Sequence, residues 1–98
     1  MLASGEFDRA REAQKNLRDG QRALNNKDAQ TALTLAEKAE KLNPGFYQNA
    51  SLQGRALLAL DRGPEAAQAL DLALKEHPAF LKEKQELEVL LHKAQNMK

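Results

Sequence analysis

The chain has 98 residues and no cysteine, which excludes disulfides, thiolate zinc sites and cysteine nucleophiles. Its 15 basic and 14 acidic side chains nearly cancel, which argues against bulk attraction to nucleic acid or to an anionic membrane. No apolar run approaches the roughly 20 residues that a membrane-spanning helix needs.

The composition predicts an all-α protein. Alanine and leucine each occur seventeen times, whereas isoleucine is absent and Val89 is the single valine. Strong helix formers therefore dominate, and the β-branched residues that favour strands are nearly missing.

Turn and capping signals divide the chain into five predicted helices, at about 6–25, 29–42, 47–60, 64–76 and 79–96. Asp28 is placed to cap the second helix, and Gly63-Pro64 separates the third from the fourth. Asn43-Pro44-Gly45 and His77-Pro78 stop the helices before them. We expect residues 6–98 to form a single domain and residues 1–5 to be a flexible N-terminus or a vector-derived remnant.

An internal repeat of 34 residues relates 13–46 to 47–80. Eight residue pairs are identical at this offset: Gln14 and Gln48, Gly20 and Gly54, Leu24 and Leu58, Ala32 and Ala66, Ala39 and Ala73, Lys41 and Lys75, Pro44 and Pro78, and Phe46 and Phe80. Both glycines fall inside a helix, where glycine costs about 1 kcal/mol relative to alanine. We predict that each glycine lets the paired helix approach closely, with the alanines on the facing helix.

This spacing resembles the tetratricopeptide repeat, a 34-residue helix hairpin with small residues at fixed positions and a closing proline. The matching structural positions are Gly20, Ala32, Ala39 and Pro44 in the first unit, and Gly54, Ala66, Ala73 and Pro78 in the second. The resemblance implies an antiparallel helix-hairpin α-solenoid with repeats at about 13–46 and 47–80. Residues 81–96 then form a capping helix, with Leu87, Leu90, Leu91 and Ala94 on one apolar stripe.

The resemblance also implies a function, because the first helices of such units line a concave groove that binds extended or helical segments of partner proteins. Carried over by position, the groove residues are Gln14, Leu17, Arg18, Gln21, Gln48, Leu52, Arg55 and Lys82, with Ser51, Leu58, Gln85, Glu86 and Val89 beside them. Arg18, Arg55 and Lys82 would orient the partner. Leu17 and Leu52 would supply apolar contact.

Alternatives remain open at this point. The chain could be a structural self-association unit, forming a homo-oligomer, or a fragment of a longer scaffold. One face of the first helix carries a basic stripe, which consists of Arg11, Lys15, Arg18 and Arg22. This stripe is either a solvated face beside the acidic residues Asp8, Glu12 and Asp19 or part of a binding surface. Nucleic-acid binding through this stripe would depend steeply on salt concentration, and we do not favour it.

The sequence offers little for catalysis, and we expect neither an enzyme nor a bound cofactor or metal ion. His77 and His92 have no partner at metal-ligand spacing, and no nucleophile motif surrounds either serine, Ser4 or Ser51. The location is left open, because a chain without cysteine suits the cytoplasm and also a periplasmic or lipoprotein-anchored domain.

Overall fold

The structure is a computed structural model that describes residues 4–76 and 81–97. Within these residues the chain forms five helices: α1 (Ser4–Asn25), α2 (Ala29–Leu42), α3 (Tyr47–Ala59), α4 (Gly63–Lys75) and α5 (Leu81–Gln95). The prediction of an all-α fold with five helices is confirmed, and the ends of every helix lie within two residues of the predicted ends. The predicted stop at His77-Pro78 lies outside the described residues.

The helices pack as successive neighbours in the chain. Three residues join α1 to α2 and three join α3 to α4, so each pair folds back as an antiparallel hairpin. α2 packs on α3, and α4 packs on α5. α1 also contacts α3, and α3 contacts α5, whereas α2 and α4 make no such contact among the described residues. The odd-numbered helices therefore form one side of the molecule.

The core consists mainly of alanine and leucine. One cluster joins α2, α3, α4 and α5 around Leu57, Leu70 and Leu87, and a second joins α1, α2 and α3 around Leu17 and Leu52. The alanines predicted at repeat positions, Ala32, Ala39, Ala66 and Ala73, are all completely buried. Pro44 lies exposed in the turn after α2, and Pro78 is outside the described residues.

Gly20 and Gly54 occupy equivalent places in the two hairpins. A Cβ atom built on Gly20 would lie 3.5 Å from the carbonyl oxygen of Ala32, and one on Gly54 would lie 3.5 Å from that of Ala66. The same Cβ atoms would come within 2.6 Å of side-chain carbons of Leu52 and Leu70, respectively. The predicted close approach at both glycines is therefore confirmed.

The turns inside the two hairpins also repeat at the 34-residue offset. Lys27 has φ 65° and Asp61 has φ 59°, the left-handed conformation that ends many helices. The N–H of the next residue then bonds the carbonyl of Ala23 at 2.8 Å in the first turn and that of Leu57 at 2.9 Å in the second. Gly63 is not the left-handed residue of the turn after α3, because Asp61 takes that conformation and Gly63 is already the first residue of α4.

The predicted cap on α2 is present, because the Asp28 side chain accepts a hydrogen bond from the N–H of Thr31 at 3.2 Å.

Gly63 allows a close contact between two helices. A Cβ atom there would lie 2.5 Å from Cβ of Met97 and 3.0 Å from the carbonyl oxygen of Ala94, so this glycine lets the end of α5 pack on the start of α4.

Candidate functional site: a groove across α1, α3 and α5

A depression of about 290 Å³ lies across the odd-numbered helices. The lining comes from the end of α1, one face of α3 and the first two turns of α5. The lining residues are Gln21, Leu24, Asn25, Tyr47, Gln48, Ser51, Leu52, Arg55, Glu83, Glu86 and Leu87. We call this depression the groove.

The centre of the groove is one face of α3. Gln48, Ser51 and Arg55 are spaced at i, i+3 and i+7, so their side chains lie in a row along the helix. Their amide, hydroxyl and guanidinium groups can donate and accept hydrogen bonds. This face is therefore suited to a ligand that offers both backbone N–H and C=O groups.

One end of the groove is closed by a hydrogen bond between α3 and α5. The Tyr47 hydroxyl donates to Oε2 of Glu83, and Nε2 of Gln48 donates to the same hydroxyl at 3.4 Å. The Tyr47 ring itself is buried, and its centroid lies 5.6 Å from that of Phe46. This link holds the first turns of α3 and α5 together.

The other end is spanned by an ion pair. Nη2 of Arg55 lies 3.6 Å from Oε2 of Glu86, and the two side chains are 41% and 48% exposed. A half-exposed pair at this distance contributes about 0–1 kcal/mol, so Arg55 can exchange Glu86 for another carboxylate at little cost.

A second depression of about 410 Å³ adjoins the groove over α5. It shares Arg55 and Glu86 with the groove and is otherwise lined by Lys82, Gln85, Val89 and Leu90. Val89 is 69% exposed, so this part of the surface offers a hydrophobic contact beside a cation. Together the two depressions form a continuous surface that runs from the end of α1 across α3 to α5.

The structure brings together five of the eight predicted groove residues: Gln21, Gln48, Leu52 and Arg55 in the groove and Lys82 in the adjoining depression. Gln14, Leu17 and Arg18 line neither depression. The expected apolar contact from Leu17 and Leu52 is corrected, because these side chains are only 3% and 2% exposed. Both pack in the core against Ala36 and Ala39 of α2.

Sequence reasoning missed the hydrogen bond between Tyr47 and Glu83. Glu83 follows Tyr47 by 36 residues, which is one 34-residue repeat plus two positions. Both residues therefore lie near the start of an odd-numbered helix. That register could have suggested their proximity. The orientation that joins them depends on how α5 packs against α3, which no local pattern reports.

A separate acidic pair consists of Glu40 in α2 and Glu76 at the end of α4, beside the turn between α2 and α3. Burial raises the pKa of Glu76, and the nearby charge of Glu40 raises it further. The N–H of Gly45 donates to Oε1 of Glu40 at 3.2 Å, but Oε2 of Glu40 and Oε1 of Glu76 are buried without a hydrogen-bond partner. These groups bear on stability and do not touch the groove.

Comparison with protein-family models, with curated proteins and with solved structures finds no match to this chain. The tetratricopeptide resemblance therefore rests on the residues and register of this chain alone. In residues 4–76 and 81–97, no three histidine or acidic side chains gather as a metal site would require. Among the helices of the described part of the chain, none combines the length and apolarity needed to cross a membrane.

Proposed function

We propose that the protein is a non-enzymatic protein-interaction module, a scaffold or adaptor of tetratricopeptide-like solenoid architecture that binds an extended or helical segment of a partner protein. The groove across α1, α3 and α5 is the observation that carries this proposal. It lies on the side of the molecule formed by the first helices of the repeated hairpins.

The shape and chemistry of this surface favour a chain segment over a small molecule. Two shallow, connected depressions can accept neighbouring side chains of a peptide, whereas small ligands are usually enclosed in one apolar pocket. Gln48 and Ser51 offer hydrogen bonds to a peptide backbone, and Arg55 with Lys82 offers charge-assisted bonds to a carboxylate. Val89 supplies the apolar contact that Leu17 was expected to give.

Peptides selected from a random phage-displayed library can test this function. The best selected peptide is titrated calorimetrically against the wild type and against Ser51→Trp, which fills the centre of the groove. We expect at least about a tenfold loss of affinity, the size of effect that removal of a central contact produces. Lys38→Trp on the exposed side of α2 is the matched control and should bind like the wild type. Equal binding by Ser51→Trp would contradict the groove assignment.

Self-association is the second candidate function, and two exposed side chains on α5 favour it. Leu81 is 70% exposed and Val89 is 69% exposed, on the helix that closes the described stack. Light scattering separates the two functions. A mass of 10.9 kDa at all concentrations supports a monomeric adaptor, whereas a multiple of this mass that Val89→Lys abolishes supports a self-association unit.

A further inference from the structure

The repeat register shows which face of an odd-numbered helix is covered by a preceding hairpin. In α3 this face carries Asn49, Leu52 and Ala56, which are 0%, 2% and 0% exposed. Asn49 donates from Nδ2 to the carbonyl of Asn43 at 2.8 Å, just beyond the end of α2. Leu52 and Ala56 pack in the clusters that contain the buried alanines of α2. This face of α3 therefore packs against a helix, α2.

The counterparts of these three residues in α1, found 34 positions earlier, are Lys15, Arg18 and Arg22. All three are exposed, and none is ion-paired with any residue that the structure describes. They lie at i, i+3 and i+7 and so form a straight row about 10 Å long. We call these three residues the basic flank of α1.

We propose that the basic flank is a docking site for a helix of a partner protein that presents a row of carboxylates. The repeat register supplies the shape of the site, because the equivalent face of α3 receives α2. The charge supplies the chemistry, because three cations replace an amide, a leucine and an alanine. A partner helix with carboxylates at matching i, i+4 and i+7 positions could pair with all three.

Two observations favour a helix with placed carboxylates over a nucleic acid or a membrane. Asp19 and Glu12 lie on α1 immediately beside the basic flank, and the whole chain carries a net charge of +1. These neighbouring carboxylates partly offset the cations of the flank, and the near-neutral chain gives little long-range attraction for a polyanion. The flank also contains no apolar side chain that could insert into a bilayer.

Two synthetic peptides of the same composition test the proposal. Both are labelled Ala/Gln helices of about 18 residues with three glutamates, placed at i, i+4 and i+7 in the striped peptide and at i, i+5 and i+10 in the dispersed one. Fluorescence anisotropy in about 50 mM NaCl should show the striped peptide binding at least about fivefold more tightly. Raising the salt concentration should weaken this binding, since the contacts are charged.

Two charge-reversed variants locate the site. Lys15→Glu/Arg18→Glu/Arg22→Glu should bind both peptides equally weakly. Lys38→Glu/Lys41→Glu/Lys93→Glu changes the net charge by the same amount at exposed positions elsewhere, and it should keep the preference for the striped peptide. Circular dichroism checks that both variants remain helical. The groove-filled Ser51→Trp variant should also keep this preference, so the outcome does not depend on the groove.

Either of two results would overturn the proposal. The first is equal affinity of the wild type for the two peptides, which would leave only non-specific attraction. The second is tighter binding of single-stranded DNA or of phosphatidylglycerol vesicles than of the striped peptide, lost in the charge-reversed flank variant. That second result would assign the flank to a nucleic acid or a lipid surface instead.

Discussion

Substituting Gly54 with alanine should destabilise the protein, although alanine is the better helix former. The added Cβ atom would lie 2.5 Å from Cγ and 2.6 Å from Cδ2 of Leu70, far inside van der Waals contact. Leu70 is completely buried in the core. Its Cγ atom can move only if the whole side chain or the α4 backbone shifts. The clash therefore cannot be relieved by rotation of a terminal methyl group.

The expected change in the free energy of unfolding for Gly54→Ala is the sum of two opposing effects. Replacing a mid-helix glycine gains about 1 kcal/mol of helix propensity. Overpacking a filled core costs about 1–3 kcal/mol. We expect a net loss of up to about 2 kcal/mol, which in a domain of this size lowers Tm by roughly 4–8 °C per kcal/mol. Guanidinium unfolding followed by circular dichroism at 222 nm measures the free energy of unfolding, and thermal unfolding followed in the same way measures Tm.

Gly20→Ala is the matched comparison, because the one contact of its Cβ atom below 3.0 Å would be with the Cδ2 methyl of Leu52, at 2.6 Å, and the next contacts, with Cβ of Leu35 and the carbonyl oxygen of Ala32, lie at 3.4 and 3.5 Å. That methyl lies at the end of a flexible side chain, so we expect Gly20→Ala to cost less than Gly54→Ala by at least about 1 kcal/mol.

A double substitution then tests the cause of the loss. Leu70→Ala costs about 2–5 kcal/mol by itself, but it removes the atoms that clash. In that background Gly54→Ala should stabilise the protein by about 1 kcal/mol, which reverses its sign. If Gly54→Ala is more stable than the wild type, or changes stability equally in both backgrounds, the close-contact explanation is wrong.

Three further predictions concern the turns and the acidic pair. Asp61→Gly and Lys27→Gly should each stabilise by about 0.5–1 kcal/mol in chemical denaturation, because both positions have positive φ; a loss would contradict the turn geometry. Asp28→Ala should lose about 1 kcal/mol in the same assay, since it removes the cap of α2, and an unchanged midpoint would show that the cap contributes nothing. Burial and Glu40 raise the pKa of Glu76, so its contribution to stability falls as pH rises through that pKa. Glu76→Gln should therefore raise Tm at pH 7 and lose this advantage below about pH 4, where the carboxyl group is protonated in both states. A Tm gain that is the same at both pH values would exclude charge as the cause.

The fold could be predicted largely because its signals are local. Alanine and leucine content, the Asp28 cap and the breakers define the five helices, and the 34-residue offset predicts that the two hairpins are built alike. The ending of α3 could not be predicted in the same way. A left-handed residue is commonly glycine, but here the aspartate at position 61 adopts that conformation and leaves Gly63 free to meet the end of α5.

The groove was predictable only in part. Positions carried over from a repeat identify the exposed face of α3, whose two neighbours in the stack are both described. In α1 they identify Gln21 but fail for Leu17, which turns into the core, and for Arg18, which lies on the flank instead. Whether a leucine faces the groove or the core depends on a helix rotation of a few tens of degrees. That rotation is set by the packing of α2 and α3 against α1 and not by α1 alone.

The central claim is that the groove binds a partner segment, and chemical-shift mapping tests it most directly. A ¹⁵N-labelled sample is titrated with the peptide selected on the wild type. We predict that the largest amide shifts cluster at Gln21, Gln48, Ser51 and Arg55, and that the side-chain amide of Gln48 shifts with them. Shifts confined to the opposite side of the molecule, on α2 and α4, would contradict the assignment of the groove as the binding surface.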